Sequence, residues 1–352
     1  MSNVLVPLLT ETAQDLGTHV ECLYDQYGQC KEMGKSSPLP TLPHFFLLRT
    51  FLGENDLLVI LNTKRCRYQC TFCTLPAKSS RTWIEDRHVV EQFRHVVDET
   101  RHALSVVDRV TLSNEGSILD EATVGAAAID EIVGAIGRMR RARRIEIETR
   151  LEFVSSERLA RLDMLAPRAR LGILTGFETV DERIRERILK KREPLSSFLK
   201  GLDRLAGSGS SLTTYVLFKP DPEMTDAAAS KEASASIHFL ADECARREIP
   251  LTVRLNPMYR AAGSRWARRA NSTPDYLPPR LTDVMRVAEA GVRQGVPVYI
   301  GLSTEGLTES GGSYAARSDY DPKLIKYVKL FNDRKIDHFP WEALERTSVA
   351  RR

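Results

Sequence analysis

The sequence of 352 residues lacks any long apolar run. No stretch approaches the roughly 18 uncharged apolar residues that a membrane-spanning helix needs, so we expect no membrane association. The first residues, MSNVLVPLLTETAQD, also lack a basic segment ahead of their apolar positions and soon acquire acids, unlike a secretory signal peptide. Together these absences predict a cytoplasmic protein.

The sequence also has little net charge and few cysteines. The formal net charge is only +4, which does not by itself imply a nucleic-acid partner. Six cysteines in so long a chain do not indicate a disulfide scaffold. With 42% hydrophobic and 28% charged residues, the composition is that of an ordinary globular protein. It fits either one large α/β domain with appendages or two domains.

After residue 55, short apolar runs alternate with segments of helical periodicity. The strand-like runs are LLVILN, DRVTLSN, RIEIET, RLGILTGFET, SLTTYVLFKP, LTVRLNP and VPVYIGL. This alternation predicts parallel βαβ units, and six or seven of them in series favour a closed or partly closed barrel. We therefore divide the chain into an N-terminal extension with a Ser/Pro-rich linker (1–55), a barrel core (56–303) and a C-terminal loop and helix (304–352).

Chemically distinctive residues stand at or just after the ends of the predicted strands. In chain order they are Cys66, Cys70, Cys73, Asn114, Glu115, Glu148, Arg150, Gly176, Glu178, Lys219 and Asn256. Active sites of parallel barrels lie at the carboxyl ends of the strands. The sequence therefore predicts one site built from several loops at that end of the barrel.

The run RCRYQCTFC (65–73) places Cys66, Cys70 and Cys73 in a C-x3-C-x2-C spacing. Thiolates favour zinc, copper(I) or iron–sulfur clusters. Zinc usually takes four ligands, and the nearest candidate for a fourth, His88, lies within the helical pattern HVVEQFRHVV. A [4Fe–4S] cluster on three thiolates would instead leave one iron open to another ligand. From the residues alone we favour the cluster, with structural zinc and chance proximity as alternatives.

This spacing, with Phe72 directly before the last cysteine and a strand before the loop, resembles the signature of radical S-adenosylmethionine (SAM) enzymes. The resemblance implies a partial (β/α)6-type TIM-like barrel and a [4Fe–4S] cluster on Cys66, Cys70 and Cys73. It also implies that SAM binds the open iron and is cleaved reductively to a 5′-deoxyadenosyl radical, which abstracts a substrate hydrogen. A flavodoxin- or ferredoxin-type electron donor would be the redox partner.

Further segments extend the resemblance. GFETVDERIRERILKK (176–191) is similar to a segment of the Elp3/MiaB/NifB-type radical SAM core, with Lys191-Arg192 where a glycine is usual and a charged helix predicted after Glu178. SNEGSILDE, IETRLEFVSSERL and RLNPMYRAAGSRW are similar to the archaeosine-biosynthesis radical SAM proteins, which act on tRNA.

The same resemblance suggests individual roles for the residues at the strand ends. It places the Phe72 backbone against the adenine and Asn114 and Glu115 against the SAM amino group. Glu148 would accept ribose hydroxyls, Arg150 would reach the SAM carboxylate, and Asn256 would be a further cofactor contact; Glu178 and Lys219 would act in catalysis. Turn formation and structural salt bridges are the alternative roles for these residues.

The substrate class stays open at this point. The run RMRRARR (138–144) closes a predicted helix at the end of the barrel opposite the site, whereas RAAGSRWARR (260–269) follows a strand on the site's side. The second run could bind the phosphate or carboxylate of a small-molecule or nucleoside/tRNA substrate. Residues 306–322 are expected to form a flexible loop that serves as a lid over the barrel mouth, with a packed helix after it. A zinc- or cluster-stabilised barrel acting as a non-catalytic binding protein is the alternative function.

Overall fold

A computed structural model of the chain describes residues 39–75, 79–114, 116–304, 307–342 and 344. Its centre is one sheet of eight strands, arranged in chain order. The strands are β1 (Phe45–Phe51), β2 (Glu54–Ile60), β3 (Arg109–Ser113), β4 (Arg144–Glu148), β5 (Arg170–Glu178), β6 (Ser211–Phe218), β7 (Leu251–Pro257) and β8 (Val298–Ile300). Strands β2 to β8 pair in parallel. The predicted α/β partial barrel is therefore confirmed as a curled, open sheet.

Helices connect the strands and cover the outer face of the sheet. They are α1 (Asp86–Glu99), α2 (Ala126–Gly137), α3 (Ser156–Leu165), α4 (Leu195–Leu205), α5 (Asp226–Ala245), α6 (Arg265–Ser272), α7 (Leu281–Arg293) and α8 (Lys323–Asn332). None of the helices in the described ranges is long and apolar enough to cross a bilayer.

Strand β1 differs from the predicted organisation, in which residues 1–55 form an N-terminal extension and linker. It pairs antiparallel with β2 across a two-residue turn, Leu52-Gly53, in which both φ angles are positive (51° and 82°). Two positive φ angles give the turn type that matches the twist of a tight hairpin. Residues 1–38 of the predicted extension lie outside the described part of the chain.

The main hydrophobic core lies between the sheet and the outer helices. In β4, Ile145 and Ile147 are fully buried in this core, as are Val89 and Phe93 on the inward face of α1. Each such side chain contributes about 1.5–3 kcal/mol by leaving water. Because neighbouring residues of a strand face opposite sides, the acids that alternate with the β4 isoleucines face the inside of the barrel.

The inside of the barrel at the amino ends of the strands is filled by paired charges. Arg109 reaches Glu146 at 3.2 Å and Asp56 at 3.8 Å, and Asp56 also accepts a 2.8 Å hydrogen bond from Arg49. Arg109 further lies over the ring of Phe51, 4.3 Å from its centroid. These contacts close the lower end of the barrel, which leaves the carboxyl ends of the strands as its mouth.

The two margins of the open sheet meet near this lower end. Phe51 of β1 stacks on Tyr299 of β8, with ring centroids 4.7 Å apart. On the outside, the Asn332 side chain at the end of α8 accepts a 2.8 Å bond from the Ile300 amide and donates a 2.9 Å bond to the Ile300 carbonyl. Helix α8 thereby covers the exposed edge of β8, in agreement with the packed helix expected after the C-terminal loop.

Candidate active site

The loop that carries the cysteines leaves the sheet from a fixed point. The fully buried amide of Gln92, on α1, accepts a 2.7 Å bond from the Asn62 amide and donates a 2.8 Å bond to the Asn62 carbonyl. The neck of the loop is closed by backbone bonds from Arg65 to Ser80 (2.8 Å) and from Ser80 to Thr63 (3.1 Å). The start and end of the loop are therefore held by the barrel.

The far side of the loop crosses the barrel mouth. Thr71 donates from its amide to the Leu189 carbonyl (2.8 Å) and from its hydroxyl to the Ile188 carbonyl (2.7 Å). Its own carbonyl accepts a 2.9 Å bond from the Trp266 amide at the start of α6. Phe72 packs against the small apolar cluster that contains Leu189 and Trp266. The Phe72 side chain thus anchors the loop to segments that follow β5 and β7.

Cys66, Cys70 and Cys73 are not joined in disulfides and are partly exposed on this loop. Burial raises the pKa of the Cys66 and Cys70 thiols, and the nearby charges of Arg150 and Lys191 oppose that rise. Within the described ranges no three His, Cys, Asp or Glu side chains converge on a single metal ion, as a zinc site would require. A four-iron cluster takes one thiolate per iron, so its ligands need not converge on one point.

Glu178 is a buried acid in a strained position at the end of β5. Its φ is 72°, in the left-handed region that non-glycine residues rarely adopt. Its carboxylate lies 3.4 Å from the Nζ of Lys191, which is itself 3.5 Å from Glu193. A Cβ at Gly176 would fall 2.0 Å from the Glu178 Oε1, so any larger residue there would displace the Glu178 carboxylate. Burial raises the pKa of Glu178, and Lys191 partly offsets this effect.

The charged segment after Glu178 is helical, as the sequence predicts, but the helix is short and is completed by one π-helical turn, Ile184–Ile188. Arg185 in this turn is fully buried, and it donates to the Glu193 carbonyl (2.6 Å) and pairs with the Glu193 carboxylate (3.0 Å). These bonds favour a turn that brings the chain back, because a continuing helix would carry residue 193 away from Arg185. Single π-helical turns are frequent at functional sites.

Arg150 joins the cysteine loop to this returning segment. Its guanidinium lies 3.9 Å from the ring centroid of Tyr68 and donates to the carbonyls of Lys191 and Arg192, both at 3.0 Å. It also pairs with Glu152 at 2.7 Å. The guanidinium predicted to reach the SAM carboxylate is thus already engaged with protein groups on several sides.

Two amides at the mouth each keep a buried oxygen without a hydrogen-bond partner in the described part of the chain: the Oδ1 atoms of Asn114 and Asn256. The Nδ2 of Asn114 donates to Thr63 (3.1 Å). Gly116 lies between Asn114 and the cysteine loop, because a Cβ there would be 3.5 Å from the Asn114 Oδ1 and 3.2 Å from the Cys66 Cβ. Buried acceptors without partners are uncommon and indicate room for a ligand donor.

The remaining predicted residues lie elsewhere on the mouth. Glu148 ends β4, where its carbonyl accepts a 2.9 Å bond from the Ile118 amide. Lys219 follows β6 with a φ of 66° and donates a 2.9 Å bond to Asp226 at the start of α5. Glu115 lies outside the described residues.

The segment expected as a lid is held at the mouth by several bonds. Glu309 donates from its amide to the Arg260 carbonyl (2.8 Å), and the Arg260 amide donates to the Gly312 carbonyl (2.9 Å). Arg317 pairs at 3.1 Å with Asp226, the same acid that binds Lys219. The C-terminal segment is therefore connected to a predicted site residue through a shared carboxylate.

The structure brings Cys66, Cys70, Arg150 and Glu178 together, and the centre of the group is a residue that the sequence analysis did not select, Lys191. This lysine is buried, bonds to Glu178 and acts electrostatically on both thiols. The sequence did contain a sign of this role. Lys191 lies at the position where segments similar to 176–191 usually have a glycine, so the residue is a departure from the common pattern.

Residues 60–229 match the family model of the radical SAM superfamily. The chain is 22% identical over 288 residues to archaeosine synthase subunit beta of Thermococcus kodakarensis, across 78% of this chain and 84% of that protein.

Two solved structures align with the chain. A point mutant of spore photoproduct lyase aligns with a TM-score of 0.48 and 13% identity, over 68% of this chain and 74% of that one. Coproporphyrinogen III oxidase from Escherichia coli, described as a radical SAM enzyme, aligns with a TM-score of 0.42 and 13% identity, over 69% and 54% of the two chains. From the match over residues 60–229, the chain carries a radical SAM domain and is an enzyme.

Proposed function

We propose that Cys66, Cys70 and Cys73 hold a [4Fe–4S] cluster whose fourth iron binds SAM. The observation that carries this proposal is the cysteine loop itself: three cysteines outside disulfides, on a loop fixed across the barrel mouth beside a buried Lys191–Glu178 pair. When bound, the cluster supplies the electron that cleaves SAM to methionine and a 5′-deoxyadenosyl radical, which abstracts a hydrogen from the substrate.

The buried polar groups around the loop suit a ligand with separate positive and negative charges. The unpaired Asn114 Oδ1, close to Gly116 and Cys66, can accept a bond from an ammonium such as the SAM amino group. Lys191 supplies a buried positive charge for a carboxylate, and Glu178 sets its position through their contact of 3.4 Å. In this proposal Arg150 holds the loop rather than the cofactor.

Other roles suggested by the sequence remain part of the proposal. The Phe72 backbone would contact the adenine, Glu148 the ribose, and the unpaired Asn256 Oδ1 a polar group of the cofactor or substrate. Lys219 would act on the substrate from the end of β6. Residues 56–303 would form the catalytic core, and free thiols suit the reducing cytoplasm.

Two classes of substrate are candidates for this enzyme. The similarity to a subunit of archaeosine synthase makes a nucleoside or tRNA one candidate, and a small molecule is the other. Binding of bulk tRNA over a range of salt concentrations separates the two. A polyanion contacted by several cations loses affinity steeply as salt rises, whereas a flat, weak response contradicts an RNA substrate.

Anaerobic reconstitution with iron and sulfide tests the main proposal. We expect brown protein with about four irons per chain that forms 5′-deoxyadenosine from SAM when reduced. One zinc per chain, with no SAM cleavage after reconstitution, would instead support a zinc-stabilised barrel and contradict the proposal.

A further inference from the structure

Exposed cations without acidic partners surround the cysteine loop. We name as the basic collar the exposed residues Arg65, Arg81, Arg187, Lys190, Arg192 and Arg265. None of them forms an ion pair with a carboxylate within the described ranges, and the Arg265 side chain donates only to the Gln69 carbonyl of the cysteine loop.

The collar is assembled from parts of the chain that are far apart in sequence but are all bound to the loop. Arg65 belongs to the loop, and Arg81 follows the Ser80 that closes its neck. Residues 187–192 flank the carbonyls that bind Thr71, and Arg265 precedes the Trp266 whose amide binds the same threonine. The positive charge therefore surrounds the loop on both sides.

Arginines elsewhere are commonly neutralised. Arg94 pairs with Glu131 at 2.6 Å, for example, and Arg293 pairs with Glu289 at 3.3 Å. Arg67, which lies next to the collar, forms an ion pair with Asp120. The net charge of the whole chain is only +4, but positive charges without acidic partners are concentrated at the cysteine loop.

A surface cavity leads from the collar to one of the cysteines. It has a volume of about 540 Å³ and is lined by Arg65, Arg81 and Cys66, among others. The indole of Trp83, two residues after Arg81, is 45% exposed. Trp and Arg are the residues that most often dominate binding energy in protein interfaces.

We propose that the basic collar docks an acidic one-electron carrier protein, an inference that rests on the proposed cluster at Cys66, Cys70 and Cys73. One electron leaves the reduced carrier and takes the cluster from its 2+ to its 1+ state, with no transfer of atoms. SAM and substrate would fill the inner side of the loop, which leaves its collared outer side for the reductant. A patch around one short loop also matches the small interfaces of transient redox partners, below about 1,200 Å².

Charge reversal on two sides of the loop tests the docking surface. The Arg81→Glu/Lys190→Glu double variant changes the net charge by the same amount as the control Arg138→Glu/Arg140→Glu, whose exposed side chains precede β4 at the opposite end of the barrel. Each reconstituted enzyme is assayed for 5′-deoxyadenosine with a reduced flavodoxin and, separately, with photoreduced 5-deazariboflavin, a small uncharged reductant that needs no docking site.

For the collar variant we expect an apparent KM for flavodoxin about tenfold higher at low salt, as removal of electrostatic steering requires. The difference should shrink as salt is raised, because surface charges are screened beyond about 10 Å at 0.1 M. Iron content and the rate with deazariboflavin should match wild type, and the control variant should match wild type with both reductants.

Two results would overturn the proposal. One is unchanged flavodoxin kinetics in the collar variant. The other is a loss of bulk tRNA affinity in that variant with flavodoxin kinetics intact, which would make the collar an RNA surface. Failure of the proposed function looks different, because wild-type enzyme would then make no 5′-deoxyadenosine even with deazariboflavin.

Discussion

Arg150 stacks on Tyr68 of the cysteine loop, with the guanidinium 3.9 Å from the ring centroid, while it donates to two carbonyls of the segment after β5. The two contacts connect the ends of β2, β4 and β5 at one point. A planar, forked donor is needed for this geometry, and a lysine ammonium cannot reproduce it. The rigidity of the loop therefore depends on a residue outside the loop.

The Arg150→Lys variant should lose its cluster faster than wild type. With the Tyr68 stack and one of the two carbonyl bonds weakened, the loop opens more often, and a chelator should remove iron several-fold faster. The measurement is the loss of visible absorbance after chelator addition, with Arg158→Lys as the control because Arg158 pairs with Asp130 on outer helices. Equal rates in both variants would contradict a clamping role for Arg150.

Alanine at Cys66, Cys70 or Cys73 should each abolish cluster assembly and SAM cleavage. The loop is held by backbone bonds and by Phe72, so the fold should persist, which circular dichroism can check. Cys244→Ala is the matched control, since Cys244 is buried in the core far along the chain. A substitution at one of the three loop cysteines that still assembled a full cluster would remove that residue from the ligand set.

Glu178→Gln should keep the cluster but reduce SAM cleavage, because a neutral amide cannot pair fully with Lys191. The pKa of Glu178 is raised by burial, so the wild-type rate should fall on acidification at a pH above the usual glutamate value of about 4.3. The variant should lack this acid limb. The measurement is the pre-steady-state rate of 5′-deoxyadenosine formation across pH, with Glu131→Gln, at an exposed position, as the control. If the Glu178→Gln variant kept the same fall in rate at low pH, that fall would belong to another group.

Asn332→Ala should destabilise the fold without touching the site. It leaves the amide and carbonyl of Ile300 without their side-chain partner, which costs about 1–3 kcal/mol for each buried group left unsatisfied. Thermal unfolding of the variant should show a lower midpoint, whereas alanine at the exposed Asn271 should have little effect. Equal midpoints would mean that α8 does not stabilise the edge of β8.

Thiol labelling should separate the described cysteines into two groups. Burial raises the pKa of Cys244 to about 12, so Cys244 stays almost entirely in the unreactive thiol form at pH 8. Metal-free protein should therefore be alkylated at Cys66, Cys70 and Cys73 and protected at Cys244 until it is unfolded. Mass spectrometry of peptides reads the pattern, and rapid labelling of Cys244 in folded protein would contradict its burial.

The sequence predicted the parallel strands and the cysteine loop because both are encoded locally, in β-rich runs and in the C-x3-C-x2-C spacing. Strand β1 was not predicted because it pairs with β2 as a hairpin and so does not follow the βαβ alternation. The clamp formed by Arg150 could not be foreseen, since its partners are main-chain carbonyls at Lys191 and Arg192. Their placement depends on positive φ angles at Lys190 and Arg192 (51° and 54°), which arise only in the fold. The basic collar was hidden for a similar reason, because its members are scattered along the chain.

The stacking of Phe51 on Tyr299 has a mechanical consequence for how the enzyme could admit substrate. Near the same level the Asp333 carbonyl lies against Gly53, 3.6 Å from the place where a Cβ would stand, so contacts join the two margins of the sheet on the inside and the outside. We expect this lower end of the barrel to keep its width. Any widening on substrate entry should then occur in the upper half, next to the cysteine loop and the C-terminal segment.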